Sequence, residues 1–268
     1  MDKQAVFFRD LGLMGYKAAF DYQESLLQDN VKRKSLARSQ AGNFAAVPWS
    51  GKPGDGPFVN EHGESTISDA DTRHFLLFVE HPAVYTLGKS GNIQNVLLSE
   101  ESLKARGIDF FHTNRGGDIT FHGPRQIVGY PILDLEKFYT DIGRYLRNIE
   151  EIIILTLGEY GIVAGRSPGE TGVWIDPDIK GRERKICAIG VRSSRWITMH
   201  GFAFNVNTDL NYFNFIIPCG IQNKQVTSLQ KELGREVNIE EVKEKVKRNF
   251  EKIFDAQLIT VDTEFLPH

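Results

Sequence analysis

Cysteine is scarce in this chain: Cys187 and Cys219 are the two thiols in 268 residues. That is too few for a disulfide framework and fits a reducing compartment in which thiols stay free. Neither sign of charge dominates. Lys+Arg 32 against Asp+Glu 35 leaves a net charge of −3, without the basic surplus of a dedicated nucleic-acid binder. No apolar run approaches the roughly 18 residues that span a bilayer, and Met1-Asp2-Lys3-Gln4 opens no apolar signal core. A soluble, cytoplasmic protein is expected, with neither membrane nor nucleic acid as partner. Also missing are Cys-x-x-Cys and His-Glu-x-x-His metal spacings and the Gly-x-x-x-x-Gly-Lys-[Ser/Thr] phosphate loop. Chemistry without metal or nucleotide is favoured, and no cofactor is expected. What the chain does have is 41% hydrophobic residues, enough to fold alone as one large domain or two small ones.

Val6-Phe7-Phe8 followed by Arg9-Asp10 suggests a first strand, and from Tyr16 the positions Phe20, Leu26, Leu27 and Val31 recur at helical spacing. From Leu36 to Asp71 the pattern dissolves into Gly, Pro, Ser and Asp, including Pro48, Pro53 and Pro57. This segment is expected to be a long surface loop, either an insertion or a functional flap. Phe75 to Val79 is continuously apolar, as suits a strand buried on both faces. Further strands are expected at Val84–Leu87, Asp109–Thr113, Asp118–His122, Ile127–Leu133, Gly172–Ile175, Lys185–Arg192 and Ile197–Asn207. A helix after Thr140 or Asp141 carries Ile142, Tyr145, Leu146, Ile149, Ile152 and Ile153 on one face, with Gly161 beyond its end. Thr227-x-x-Gln230 and Asn238-x-x-Glu241 each have the form of a helix start. In the second of these helices Ile239, Val242, Val246, Phe250 and Ile253 form the buried stripe, and Lys243, Glu244, Lys245 and Lys247 an outer charged face.

Three segments can carry chemistry. Arg115-Gly116-Gly117-Asp118-Ile119-Thr120-Phe121-His122-Gly123-Pro124 is richer in glycine and polar groups than packing requires. Strand alternation puts Asp118, Thr120 and His122 on one face and Ile119 and Phe121 on the other. The segment reads equally as a ligand-lining face or as a turn leading into an edge strand. In His200-Gly201-Phe202-Ala203 and in Lys185-Ile186-Cys187-Ala188-Ile189-Gly190, small residues alternate with bulky ones. The space they leave either holds an apolar chain lying on the sheet or admits close packing of another element. Cys219, between Pro218 and Gly220, belongs on a turn rather than mid-strand, whereas Cys187 reads as a small buried hydrophobe. A lone turn cysteine is more often structural than reactive. Reactivity requires a cation nearby to lower the thiol pKa, and Lys185, His122 and His200 are the candidates.

The order of these motifs resembles the octanoyltransferases of lipoate biosynthesis, the lipoyl(octanoyl) transferase or lipoate biosynthesis protein B family. The resemblance runs through His81-Pro82-Ala83-Val84-Tyr85-Thr86-Leu87-Gly88, Arg115 to Gln126, Gly172-Val173-Trp174, Lys185 to Gly190, His200 to Asn207, Pro218-Cys219-Gly220 and Val226-Thr227-Ser228-Leu229. It implies a single α+β domain over residues 1–268, with a central mixed β-sheet and flanking helices, in the cofactor-transferase fold of biotin and lipoate protein ligases. It implies transfer of an octanoyl group from octanoyl-acyl carrier protein to a lysine of lipoyl domains. Those of 2-oxoacid dehydrogenase complexes and of the glycine cleavage H protein are the expected acceptors. Carried over by position, Cys219 is the acyl-accepting nucleophile and Lys185 lowers its pKa. The substrate pocket comprises Arg115, Gly116, Gly117, Asp118, Ile119, Thr120, Phe121 and His122, then Ala188, Ile189 and Gly190, then Gly201, Phe202 and Ala203. Two features depart from the family pattern: Arg125 stands where a glycine is usual, and the 36–71 segment is long. Regular alternation also sets Lys185 on the face opposite Ala188 and Gly190, so a shared pocket requires a strand end or a bulge. The alternatives are an ATP-dependent lipoate or biotin ligase on the same fold, and a non-catalytic protein that binds lipoyl domains or acyl chains.

Overall fold

The computed structural model describes residues 3–44, 71–217 and 225–261. Strand β1 (Gln4–Leu13) leads through helix α1 (Tyr16–Phe44) into β2 (His74–Glu80) and β3 (Val84–Leu87). Helix α2 (Glu100–Ala105), β4 (Asp109–His112), β5 (Ile119–His122) and β6 (Gln126–Ile132) follow, then α3 (Ile142–Gly158). The strands β7 (Ala164–Ser167), β8 (Glu170–Ile175), β9 (Arg184–Ser194), β10 (Ile197–Asn205) and β11 (Gln225–Val226) precede α4 (Leu229–Leu233), α5 (Ile239–Phe254) and β12 (Ala256–Thr260). Among the described residues these strands make a mixed nine-stranded sheet in the order β12-β1-β2-β6-β10-β9-β8-β7, with β11 beside β9, and a three-stranded sheet β4-β3-β5.

The large sheet is covered on both faces, which is why β2 lacks alternation. Leu76 and Phe78 point into one apolar layer with α3 and α5, where Tyr145, Ile149, Ile153, Val242, Val246 and Phe250 meet them. Phe75, Leu77 and Val79 point into the other, under Ala19, Leu26 and Leu27 of α1. The small sheet has its own core of Tyr85, Leu87, Leu103, Ile119 and Phe121. The architecture is the α+β one expected from the sequence, with a central mixed sheet and flanking helices.

Several local expectations are corrected. Helix α1 runs on to Phe44, well into the segment expected to be loop. Its apolar periodicity ends at Val31, while Ala37, Arg38 and Gln40 still favour helix. The remainder of the 36–71 loop, from 45 to 70, lies outside the described residues, as does the turn expected around Cys219. Helix α4 is capped by Ser228, whose hydroxyl accepts from the Lys231 N–H at 3.2 Å, and not by Thr227, whose hydroxyl donates to Glu232 at 2.5 Å. Lys243 is not on an outer face. It is buried, with Nζ 2.8 Å from both Asp10 and Glu240. The start of α5 at Asn238 and of α3 at Asp141 are as expected, each side chain accepting from a first-turn N–H.

Candidate functional site

Strands β9 and β10 supply the floor of the site. Ala188 pairs with Ala203 and Gly190 with Gly201, so the four small residues found separately in the sequence lie side by side across adjacent strands. Their two kinds do different things. A Cβ on Gly201 would collide with the Gly129 carbonyl, and one on Gly190 would lie 2.8 Å from the Gly116 carbonyl. The glycines admit close backbone approach, and the alanines keep the trough open.

Lys185 reaches the same trough because β9 is bulged. Val173 of β8 pairs with Cys187, and the next residue, Trp174, pairs with Lys185, leaving Ile186 as an extra residue. Ile186 and Cys187 therefore both enter the core under α3, and Lys185 is turned to the side of Ala188. The bulge required by the sequence reading is present.

The second wall is the loop from Arg115 to Asp118. Its position is fixed by the Gly116 N–H donating to the Val191 carbonyl at 2.9 Å, and by Gly117 adopting φ 88. Arg115 is buried, and its Nη2 donates to the carbonyls of Thr86 (2.6 Å) and Asp118 (2.8 Å) and to the Thr86 hydroxyl (3.0 Å). Asp118 accepts from the Ile119 N–H at 2.7 Å and from Asn95 at 2.5 Å. These charged residues shape the loop. Between the walls lies a cavity of about 600 Å³, within the size range of small-molecule sites.

Arg115 to Thr120, His122, Lys185, Ala188 to Gly190 and Gly201 to Ala203 all border this cavity. Phe121 does not. It points to the opposite face of β5 and stacks on Tyr212 with ring centroids 4.6 Å apart, so it belongs to the core of the small sheet. Cys219 lies outside the described residues. The sequence reading missed Tyr16, Tyr130, Trp174 and Phe213, which also line the cavity. Tyr130 was findable, since it alternates in phase with Val128 along β6, but nothing local marks Tyr16 as more than the first residue of a helix.

The histidines are fixed and neutral. His122 Nδ1 donates to Gln126 Oε1 (3.0 Å), and its Nε2 lies 3.3 Å from the Thr86 hydroxyl. Gln126 donates on to Asn205 (2.8 Å), which donates to the Thr227 carbonyl (3.0 Å). Burial, with the neighbouring His81 ring and Arg115 charge, pushes His122 well below the ordinary imidazole value. His200 is pushed down to about 3 by burial and by Arg115. Neither is a cation near neutral pH, which leaves Lys185 of the three groups considered for lowering a thiol pKa. The Cys187 thiol is fully buried and pushed up by desolvation, the environment of an inert thiol.

The family model of the lipoyl protein ligase A/B catalytic domain matches residues 62–251. An octanoyltransferase of Christiangramia forsetii is 52% identical over 259 residues, spanning 96% of this chain and 99% of that relative. One of Flavobacterium psychrophilum is 52% identical over 257 residues, spanning 96% and 99%. Among solved structures, lipoate-protein ligase A bound with ATP superposes with a TM-score of 0.64 at 14% identity, over 98% of this chain and 90% of that one. A bi-partite lipoate protein ligase from Thermoplasma acidophilum gives 0.61 at 17% identity, over 98% and 88%. At those identities the likeness is one of fold.

Proposed function

The chain belongs to the lipoyl protein ligase A/B catalytic-domain family and is an octanoyl-transferring enzyme of protein lipoylation, and we propose that its reaction runs through a thioester on Cys219. The Cys219 thiolate attacks the carbonyl of an octanoyl thioester. A new C–S bond forms, the bond to the donor's sulfur breaks, and the donor thiolate takes up a proton. The amine of a lipoyl-domain lysine then attacks the acyl-enzyme, forming the amide as the C–S bond to Cys219 breaks. The proton lost by the amine returns to the departing thiolate. Octanoyl-acyl carrier protein is the donor, and the lipoyl domains of 2-oxoacid dehydrogenases and the glycine cleavage H protein are the acceptors.

The observation that carries this reading is that Lys185 shares its cavity with the Ala188–Ala203 and Gly190–Gly201 pairs, so a cation and an open trough suited to an aliphatic chain meet there. Chain connectivity supports the role of Cys219. It follows two residues after Ile217, whose N–H donates to the Asn95 carbonyl at 2.8 Å, and Asn95 in turn holds Asp118 at the cavity. On the other side the chain returns at Val226, which pairs with Lys185 itself. Charge supports Lys185 as the group that lowers the thiol pKa, since His122 and His200 are neutral.

The test is intact mass after mixing with octanoyl-acyl carrier protein. The wild type and Cys187→Ala should gain one octanoyl group without ATP, and Cys219→Ala should gain none. Loss of Cys187 should cost on the order of 1 kcal/mol of stability and little activity. Equal loss of acylation in both variants would overturn the assignment, and a strict need for ATP would favour the ligase alternative.

A further inference from the structure

Gly172-Val173-Trp174 has no part in the transfer as written, yet it surrounds Lys185. Trp174 is the cross-strand partner of Lys185 at the edge of the β9 bulge, and the Lys185 ammonium sits over its indole, 4.6 Å from the ring centroid. Gly172 adopts φ 129, and the place of its missing Cβ lies 3.4 Å from Lys185 Cε and 3.6 Å from Cδ. A Cβ there would collide with the Cys187 carbonyl at 2.7 Å, so the glycine lets the lysine stem and the β9 backbone close on it together. Gly172 is itself held from below. Its N–H donates to Glu150 Oε1 at 2.9 Å, and Glu150, fully buried in α3, is anchored by Arg147 at 2.7 Å and Arg166 at 2.9 Å. The lysine stem is thus set against a glycine, and the ammonium against an aromatic face that stabilises a cation where water is sparse.

We propose that Trp174, braced through Gly172 by the buried Glu150, is a positioning residue that holds the Lys185 ammonium toward the cavity. The proposal rests on the reading above that Lys185 tunes Cys219. A side chain as long as lysine samples many rotamers when unrestrained, and its effect on a thiol falls as the mean separation grows. The indole face restricts that sampling and keeps the ammonium beside the cavity.

Two readouts test it in folded wild type, Trp174→Leu, Trp174→Phe and Lys185→Ala. The first is labelling of Lys185 by an amine-reactive succinimidyl ester, quantified by peptide mass spectrometry. The second is alkylation of Cys219 by iodoacetamide against pH. Trp174→Leu should raise Lys185 labelling by about three- to thirtyfold, the span expected for losing one cation–π contact. It should also move the Cys219 midpoint upward, toward that of Lys185→Ala. Trp174→Phe, with a weaker face, should raise labelling by about twofold. Unchanged labelling and an unchanged midpoint in Trp174→Leu overturn the proposal, and if that variant does not fold, unchanged labelling in Trp174→Phe does so. If Lys185→Ala leaves the midpoint unmoved, the tuning role fails, while the labelling result still judges the hold of Trp174.

Discussion

Arg125 has φ 65, a left-handed conformation that costs a non-glycine residue roughly 1–2 kcal/mol and that glycine adopts freely. What keeps the arginine in place is backbone bonding: its N–H donates to Glu80 at 2.7 Å, and its carbonyl accepts from the Asn207 N–H at 3.0 Å. Both bonds survive substitution. Its side chain pairs with Glu236 where both are exposed, a contact worth at most about 1 kcal/mol. Arg125→Gly should therefore be neutral or stabilise by up to about 1 kcal/mol in chemical denaturation, with transfer unchanged. A loss beyond about 1 kcal/mol would mean that the guanidinium supports more than its ion pair. Single positions were legible where chemistry is local. Cys187 read as core because its neighbours are apolar, and the small residues of β9 and β10 read as space. Phe121 was assigned to the pocket through its motif, although alternation had already turned it away. Trp174 gave no sign of its partner, because cross-strand register is not written in either strand alone.

At the scale of elements, the caps at Asp141 and Asn238 and the apolar stripes behind them located α3 and α5, while the Thr227 start gave way to Ser228. Asp141 accepts from the Arg144 N–H at 2.9 Å and opens the helix that bears Glu150. Asp141→Ala should lose about 1 kcal/mol of stability by thermal or urea unfolding, with the rate of transfer kept. A fall in activity without loss of stability would tie the cap to the site. Elements without a strong pattern were missed. Strand β7 is Ala-Gly-Arg-Ser, which has no alternation to read, and β12 follows α5 after a single left-handed residue, Asp255, so no loop announces it. The Lys185 bulge was inferred as a necessity rather than seen as a pattern. Its signal was a conflict between alternation and a shared role, and the extra residue is Ile186.

The whole molecule carries a pH dependence set by its interior. Burial holds His74 and His81 at about 4 and His200 at about 3, and His122 lies well below its ordinary value. In the unfolded chain these rings titrate near about 6.5. Below that pH the unfolded state binds more protons than the folded one. Stability is therefore full above about 6.5 and falls as pH drops toward about 4, with His74 and His81 each contributing a loss of roughly 3 kcal/mol by the lower end. Equilibrium unfolding followed between about pH 7.5 and about pH 4.5 should display that slope, and a flat profile would mean the rings take up protons in place. The path from Arg115 through Thr86, His122, Gln126 and Asn205 to the Thr227 carbonyl crosses from the small sheet to the large one. Read end to end, it has a grammar. Its first member can only give protons and its last can only receive, so each group between accepts from behind and gives ahead, and the sentence cannot be spoken backwards. The ring of His122 is thereby compelled into the tautomer with hydrogen on Nδ1, and neither amide can turn over without setting donor against donor. A second proton on that ring would turn Nε2 into a donor, and the Thr86 hydroxyl would then have to accept from both Arg115 and His122 and turn its own hydrogen elsewhere.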